Sequence, residues 1–114
     1  MEIQSGQHNG KNVRFVDVSI DFNGKEEIVR IKKLTFGENL DLRQKVSKIS
    51  VLGGQEKIEI DQQKLSEECL LKSIIKAPFE VNLQSIRDLD MELGEQLLES
   101  YREINTFTLK KKDN

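Results

Sequence analysis

Histidine and cysteine, which often serve as acid–base groups, nucleophiles or metal ligands, are scarce in this sequence. His8 is the only histidine, and no Asp, Glu or Cys stands near it at the spacing of a metal site. Cys69 is the only cysteine, and the preceding Glu67 and Glu68 disfavour a thiolate, which needs a nearby positive charge or a helix N-terminus. We therefore predict that His8 is an exposed residue of the N-terminal segment and that Cys69 packs in the core.

The adjacent carboxylates and paired glycines form no catalytic or phosphate-binding motif. Glu26 and Glu27 are neighbours, so their side chains diverge on a strand or a helix, and the same holds for the glutamate pair before Cys69. Gly53-Gly54 is not followed by the Gly-Lys-Ser/Thr end of a phosphate-binding loop. The sequence therefore predicts no catalytic, cofactor-binding or metal-binding residue, and it favours a protein that is not an enzyme.

The composition fits one small domain. Of the 114 residues, 33% are charged and 36% hydrophobic. The 18 basic and 20 acidic residues give a net charge of −2, so no global basic field points to nucleic acid. No apolar run approaches the roughly 20 residues of a membrane span, and residues 1–11 lack the apolar stretch of a signal peptide. We expect a cytoplasmic protein without nucleic-acid or membrane partners, in agreement with its single cysteine.

Hydrophobic alternation indicates a hairpin near the N-terminus. Residues 1–11 offer little to bury, and we expect them to be mobile. A strand signal begins at Val13, and residues 16–22 alternate apolar and polar side chains, which is typical of a half-buried strand. Asn23-Gly24 predicts a two-residue type I′ turn, with residues 28–31 in the return strand.

The register of this hairpin follows from the length of the turn. A two-residue loop places apolar residues opposite one another on one face and opposite charges on the other face. A shift by one residue would disrupt both sets. The predicted cross-strand pairs are Val16 with Ile31, Val18 with Val29, and Asp17 with Arg30.

A capping box predicts the start of the first helix. The Thr35 hydroxyl can accept a hydrogen bond from the Glu38 amide while the Glu38 carboxylate returns to the Thr35 backbone. Gly53-Gly54 is expected to end this segment. A polar connection follows over residues 55–60, in which Ile58 and Ile60 could form a short extended piece. The apolar stripe of the helix is Leu42, Val46 and Ile49.

A second, central helix is predicted from Asp61, a plausible N-cap, to about Lys76, before the break at Pro78. Its apolar residues cover two sides, which indicates contacts from more than one direction. Asn82 is then expected to cap a short turn. One side of the second helix carries Leu65 and Cys69, and the broad side carries Leu70, Leu71, Ile74, Ile75 and Ala77.

The last helix is predicted from Asp90 to about Ile104, with an apolar arc of Leu93, Leu97, Leu98, Tyr101 and Ile104. Its opposite face is acidic. That face is either a solvated surface or a docking surface for a basic partner or a neighbouring copy, to which the lysines of the C-terminal tail could pair. The acidic residues are Glu92, Glu95, Glu99 and Glu103.

These elements predict an α+β fold in which an N-terminal antiparallel β-hairpin packs on three to four α-helices. The expected organisation is a mobile N-terminal segment over residues 1–11, a single α+β domain over residues 12–105 and a flexible basic C-terminal tail over residues 106–114.

The order of these elements resembles the tail assembly chaperones of long-tailed bacteriophages over roughly residues 13–105. Three segments carry the resemblance. Residues 31–38 (IKKLTFGE) lead into a helix and a polar insertion, residues 70–79 (LLKSIIKAPF) run into a Pro-Phe break, and residues 85–98 combine SIRDL with MELGEQLL.

The resemblance implies a non-catalytic protein that binds the tape-measure protein and keeps it soluble during tail assembly. It also implies contact with the tail-tube protein, self-association as a homo-oligomer, location in the host cytoplasm and absence from the mature virion. Two alternatives stay open, namely a structural tail or baseplate component retained in the virion and a small regulatory binding module of a mobile element.

Such a chaperone needs apolar surface to accept its client and a charged exterior to keep the complex in solution. Leu65 and Cys69 could belong to the core or to a client groove or self-association seam. Phe36 and Leu40 are better surface candidates, since Leu40 lies nearly opposite the apolar stripe of its helix. The candidate protein-binding residues are therefore Phe36, Leu40, Leu65, Cys69 and the four glutamates of the last helix.

Overall fold

We describe the protein from a computed structural model, which covers residues 2–106. The chain forms an α+β fold, as the sequence predicts. Its strands are β1 (Gln4–His8), β2 (Lys11–Phe22), β3 (Lys25–Lys32), β4 (Ser47–Leu52), β5 (Gln55–Ile60) and β6 (Ile74–Lys76). Its helices are α1 (Phe36–Val46), α2 (Gln62–Ser73), α3 (Leu83–Arg87) and α4 (Met91–Asn105).

The main sheet is antiparallel and has the strand order β1-β2-β3-β6. Its central hairpin has the predicted register. The three predicted cross-strand pairs are all present, and the two-residue turn lies at Asn23-Gly24. Both turn residues have positive φ angles, 53° and 80°, as a type I′ turn requires. The hairpin register is therefore confirmed.

The prediction of a mobile N-terminal segment is wrong for residues 4–8, because these residues form the edge strand β1. Asn9-Gly10 closes a second two-residue turn with positive φ angles, 50° and 76°. The strand buries little, but it is fixed by main-chain pairing with β2 and by a close approach of Gly6 to the Phe15 ring. A Cβ atom at Gly6 would lie 3.0 Å from that ring.

The core lies between one face of the main sheet and the helices α2, α3 and α4. Val16, Val18, Val29 and Ile31, which the register places on the inward face, are buried there, and Leu97 of α4 is 0% exposed. The alternation of β2 and the 3.6-residue arc of α4 therefore meet in one apolar layer. Its buried members are Val16, Val18, Ile20, Val29, Ile31, Leu70, Ile74, Ile86, Leu93, Leu97 and Ile104.

The first helix starts at the predicted capping box but ends earlier than predicted. Glu38 N donates to Thr35 Oγ1 at 3.1 Å, and Thr35 N donates to Glu38 Oε1 at 2.9 Å. The helix ends at Val46, and Ile49 lies on β4 with its side chain 69% exposed, so the prediction that it extends the buried stripe is wrong. The reason is that β-branched residues alternate from there on, which favours a strand over a helix.

A second hairpin takes the place of the predicted polar connection. Strands β4 and β5 pair antiparallel, and Gly53-Gly54 forms their two-residue turn with φ angles of 61° and 82°. The prediction that the glycine pair ends a helix is therefore wrong, because its two positive φ angles close a type I′ hairpin turn. We call this hairpin, residues 47–60, the arm.

The second helix has the predicted N-cap and a different end. Asp61 Oδ1 accepts from Lys64 N at 3.1 Å. The helix ends at Ser73 rather than near Lys76, because residues 74–76 pair with the free edge of β3 as β6. Main-chain pairing there, rather than the later proline, stops the helix.

The last two helices follow the predicted boundaries. Asn82 Oδ1 accepts from Ser85 N at 2.8 Å and caps α3. Asp90 holds the N-cap position of α4, although its side chain makes no capping hydrogen bond. The expected basic tail falls mainly on residues 107–114, which lie outside the described residues.

Two carboxylates make the stability of this fold sensitive to acid. The hydrogen bonds from Arg30 to Asp17, at 2.8 and 3.1 Å, lower the pKa of Asp17 below its ordinary value of 3.8. Burial raises the pKa of Glu38, but hydrogen bonds from Lys32, at 2.6 Å, and from Thr35 outweigh it and leave that pKa below 4.5. Both groups thus hold protons less tightly in the folded chain than in the unfolded chain.

We expect Asp17 and Glu38 to make their full contribution to the free energy of unfolding above about pH 5. This contribution should be lost as the pH falls through their ordinary pKa values towards the lowered values of the folded chain, because the unfolded chain then binds protons first. Chemical unfolding at several pH values between about pH 2 and pH 7 measures this dependence. Glu38→Gln should flatten part of this dependence, because it removes one of the two carboxylates with a lowered pKa. An equally steep dependence in Glu38→Gln would contradict the prediction.

Candidate protein-binding site

An apolar groove opens between the helices α1, α2 and α4. It has a volume of about 530 Å³. Leu42 and Val46 contribute one wall from α1, and Leu65 and Cys69 contribute the other from α2. Leu98 and Tyr101 of α4 complete the lining, together with Ile60 from the end of the arm.

The floor of the groove is apolar and chemically inert. Cys69 is buried, and burial raises the pKa of its thiol, an effect that the nearby Tyr101 hydroxyl offsets only in part. Burial likewise raises the pKa of Tyr101, and the contact with Cys69 raises it further. Both groups are therefore neutral at physiological pH, which suits a surface for apolar side chains better than a nucleophilic centre.

The arm presents an apolar face to solvent. Residues that oppose each other across a hairpin project to the same side. Ile49 and Ile58 are such a pair, and they define one face of the arm. Val51 and Ile60 lie on that face by alternation. The four side chains are exposed by 69% at Ile49, 66% at Val51, 74% at Ile58 and 40% at Ile60. The other face carries the cross-strand pair Lys48 and Glu59.

Hydrogen bonds at the base of the arm hold it to the rim of the groove. Asp61 N donates to Val46 O at 2.8 Å, which closes the two ends of the hairpin against each other. Ser47 Oγ donates to Arg43 O at 2.6 Å. Because Ile60 belongs both to the arm face and to the groove lining, the two surfaces are continuous.

The charges around this surface are unevenly placed. Arg43 and Arg102 stand at the rim of the groove, and neither forms an ion pair within residues 2–106. Glu56 lies on the apolar side of the arm, opposite Val51, and it too has no ion-pair partner in that range. The groove rim is thus positive and the arm face carries one negative charge.

The residues predicted from the sequence divide between this site and the rest of the surface. Leu65 and Cys69 line the groove, where Cys69 is buried and Leu65 is partly buried. Phe36 and Leu40 are exposed, by 78% and 46%, but lie outside the groove. Their assignment to a binding surface stays a prediction, and so does that of the four exposed acidic residues of α4, Glu92, Glu95, Glu99 and Glu103.

The arm is the part of the site that sequence reasoning missed. Its signal is present, since residues 49–51 and 58–60 alternate apolar and polar side chains on either side of Gly53-Gly54. The same pattern identified the first hairpin around Asn23-Gly24. Tyr101 and Leu98 were assigned only to the core arc of α4, although they face the groove as well.

Within the part of the chain that the structure describes, no cluster of three or more His, Cys, Asp or Glu residues could hold a metal ion. Among the helices of residues 2–106, none has the length and apolar character to cross a membrane.

Comparisons with protein-family models, with curated proteins and with solved structures find no match to this chain.

Proposed function

We propose that the protein is a non-catalytic binding protein that holds an apolar segment of a partner protein. The observation that carries this proposal is the continuous apolar surface formed by the groove and the arm face, which includes three β-branched residues that are 66–74% exposed. A contiguous apolar surface with a polar rim is typical of a protein interaction site.

The shape of the surface favours a helical client. A groove between helices accepts an amphipathic helix, whose apolar residues recur every three to four positions. The arm stands beside the groove and can cover the side of such a helix that the groove leaves in water. The charged outer faces of α1 and α4 would then keep the complex in solution.

The client that this proposal names is the phage tape-measure protein, as the resemblance to tail assembly chaperones implies. A long helical protein with apolar stripes would aggregate before the tail tube forms around it, and a small binding protein that covers these stripes would prevent this. The protein would act in the host cytoplasm, with the tail-tube protein as the factor that displaces it.

Co-expression with the tape-measure protein of the same tail gene cluster tests this function. We expect the tape-measure protein to stay in the soluble fraction and to co-purify with this protein. Leu65→Asn should abolish both effects, because it places an amide in the groove wall, whereas Lys64→Asn, on the exposed side of the same helix, should preserve them.

An insoluble tape-measure protein in the presence of the wild-type chain would contradict the proposed function. Mass spectrometry of purified phage particles gives an independent measurement. A chaperone should be missing from the particles, whereas a structural tail component would be retained in them.

A further inference from the structure

We propose that the arm of one copy lies in the groove of a second copy, and the reverse, so that two chains form a symmetric dimer by exchanging arms. The inference goes beyond binding of a client, because it assigns the same surface an occupant when no client is bound. It rests on the arm, the groove and the charges at their edges.

The arm is a two-stranded ribbon whose apolar face is bare. A two-stranded hairpin is marginally stable in water unless something covers an apolar face. In residues 2–106, β4 pairs only with β5, and the side chains of Ile49 and Ile58 lie at the centre of the uncovered face. Covering that face with apolar surface would stabilise the hairpin as well as the contact.

The arm does not cover the groove of its own chain. Its two ends meet at the groove rim through the hydrogen bond from Asp61 N to Val46 O. Beyond that point Ile49, Val51 and Ile58 are exposed by 69%, 66% and 74%, so the apolar face of the arm makes little contact with its own chain. That face is therefore available to a second molecule.

Charge complementarity favours a second copy as the occupant. Glu56 stands on the apolar side of the arm near its tip, and Arg43 and Arg102 stand at the groove rim, all without ion-pair partners within residues 2–106. One chain thus carries both halves of a complementary pair. A two-fold axis would bring each half against its counterpart, which is the condition for a closed dimer.

A second copy and a client helix would use the same surface. Each strand of the arm has six residues, which gives a ribbon of about 20 Å in length. A client helix of comparable length would contact the same lining residues. If the proposed function holds, the second copy and the client compete, and the dimer protects the apolar surface until a client arrives.

The first test compares two double substitutions in neighbouring rungs of the arm. Ile49→Thr with Ile58→Thr removes the centre of the apolar face, and Lys48→Thr with Glu59→Thr changes the adjacent pair on the opposite face. Both introduce two threonines, which favour strands, and both leave the net charge unchanged. We expect the dissociation constant of the dimer, measured by sedimentation equilibrium, to rise about 100-fold in the first variant and less than about threefold in the second.

The second test reverses charges at exposed residues, and its outcome does not depend on a variant that folds less stably. Glu56→Arg on one chain and Arg43→Glu with Arg102→Glu on another should each weaken the homodimer, because like charges then meet at both contacts. When the two variants are mixed, every arm meets a groove of opposite charge. We therefore expect the heterodimer to form in preference to either homodimer, as measured by native mass spectrometry.

Three outcomes would overturn the inference. The first is a wild-type chain that is monomeric, with its mass of 13.2 kDa, at concentrations far above those in a cell. The second is a dimer that the isoleucine substitutions leave intact. The third is a mixture of the charge variants without preference for the heterodimer, because the arm-in-groove contact requires that preference. All of these are measured without the tape-measure protein, so a failure here leaves the co-expression result unaffected.

Discussion

Leu97→Ala should lower the free energy of unfolding by about 3–4 kcal/mol. Leu97 is 0% exposed and lies in the core between α4 and the main sheet. Truncation removes buried methyl groups and leaves a cavity whose walls, strand residues on one side and helix residues on the other, cannot close without moving the main chain. The measurement is guanidinium unfolding by linear extrapolation, at one low protein concentration for all variants, because association adds to the measured stability.

Leu98→Ala is the matched comparison, since the next residue along α4 is partly buried and lines the groove. We expect it to lower the free energy of unfolding by only about 1 kcal/mol, and to weaken association of the copies about tenfold. Leu97→Ala should leave the association of the folded chain nearly unchanged. Equal losses of stability in the two variants would contradict the separation of core and groove on this helix.

Asn105→Ala should lower the free energy of unfolding by about 2 kcal/mol. Asn105 Oδ1 accepts from Leu34 N at 2.7 Å, and its Nδ2 donates to Lys32 O at 3.3 Å. These two hydrogen bonds join the end of α4 to the segment between β3 and α1. Alanine favours the helix slightly, but it leaves the partly buried Leu34 amide without its acceptor, which is the larger effect.

Hydrogen exchange at the Leu34 amide gives a local measurement of the same contact. We expect this amide to exchange faster in Asn105→Ala under conditions in which the chain stays folded. Gln96→Ala is the control, because Gln96 Nε2 also donates to a strand carbonyl, that of Ser19 at 3.2 Å, but from an exposed position. A loss of more than about 0.5 kcal/mol in the control, or unchanged exchange at Leu34, would contradict the prediction.

Leu97→Ala and Asn105→Ala test two contacts that hold α4 and α1 in place. Leu97 holds α4 on the sheet, and Asn105 fixes the start of α1 relative to the end of α4. The helices α1 and α4 supply different parts of the groove lining. A loosened α1 would also displace the arm, because the arm begins where α1 ends.

Local patterns in the sequence were enough to predict the first hairpin and the helix starts. The register of Val16 with Ile31 follows from a turn of known length and from alternation, both of which operate over a few residues. Thr35, Asp61 and Asn82 cap their helices as expected, because a capping side chain needs only amides two or three positions away.

Longer-range effects account for the errors. The strand Gln4–His8 has no alternating apolar pattern, and it is held by its neighbour β2 and by the close approach of Gly6 to Phe15. Helix α2 ends at Ser73 because β3 offers a free edge to residues 74–76, which lie more than 40 positions further along the chain. In both places main-chain pairing with a distant segment outweighs the local preference.

The binding site also combines features that local sequence patterns predict with features that depend on tertiary packing. The sequence shows alternating apolar residues on both sides of Gly53-Gly54, and these suffice for a hairpin. No local pattern predicts which apolar residues remain exposed to solvent in the folded chain. Leu97 and Leu98 are identical in type and adjacent on the same arc, yet one is in the core and the other lines the groove.

Near-neighbour patterns in the sequence predict the fold class, the register of the main hairpin and three of the helix caps. The exposure of the apolar face of the arm, and its continuity through Ile60 with the groove, follow from tertiary packing. The physical reason is that hydrogen bonding and alternation are set by near neighbours. Burial depends instead on which surfaces remain after all the elements have packed.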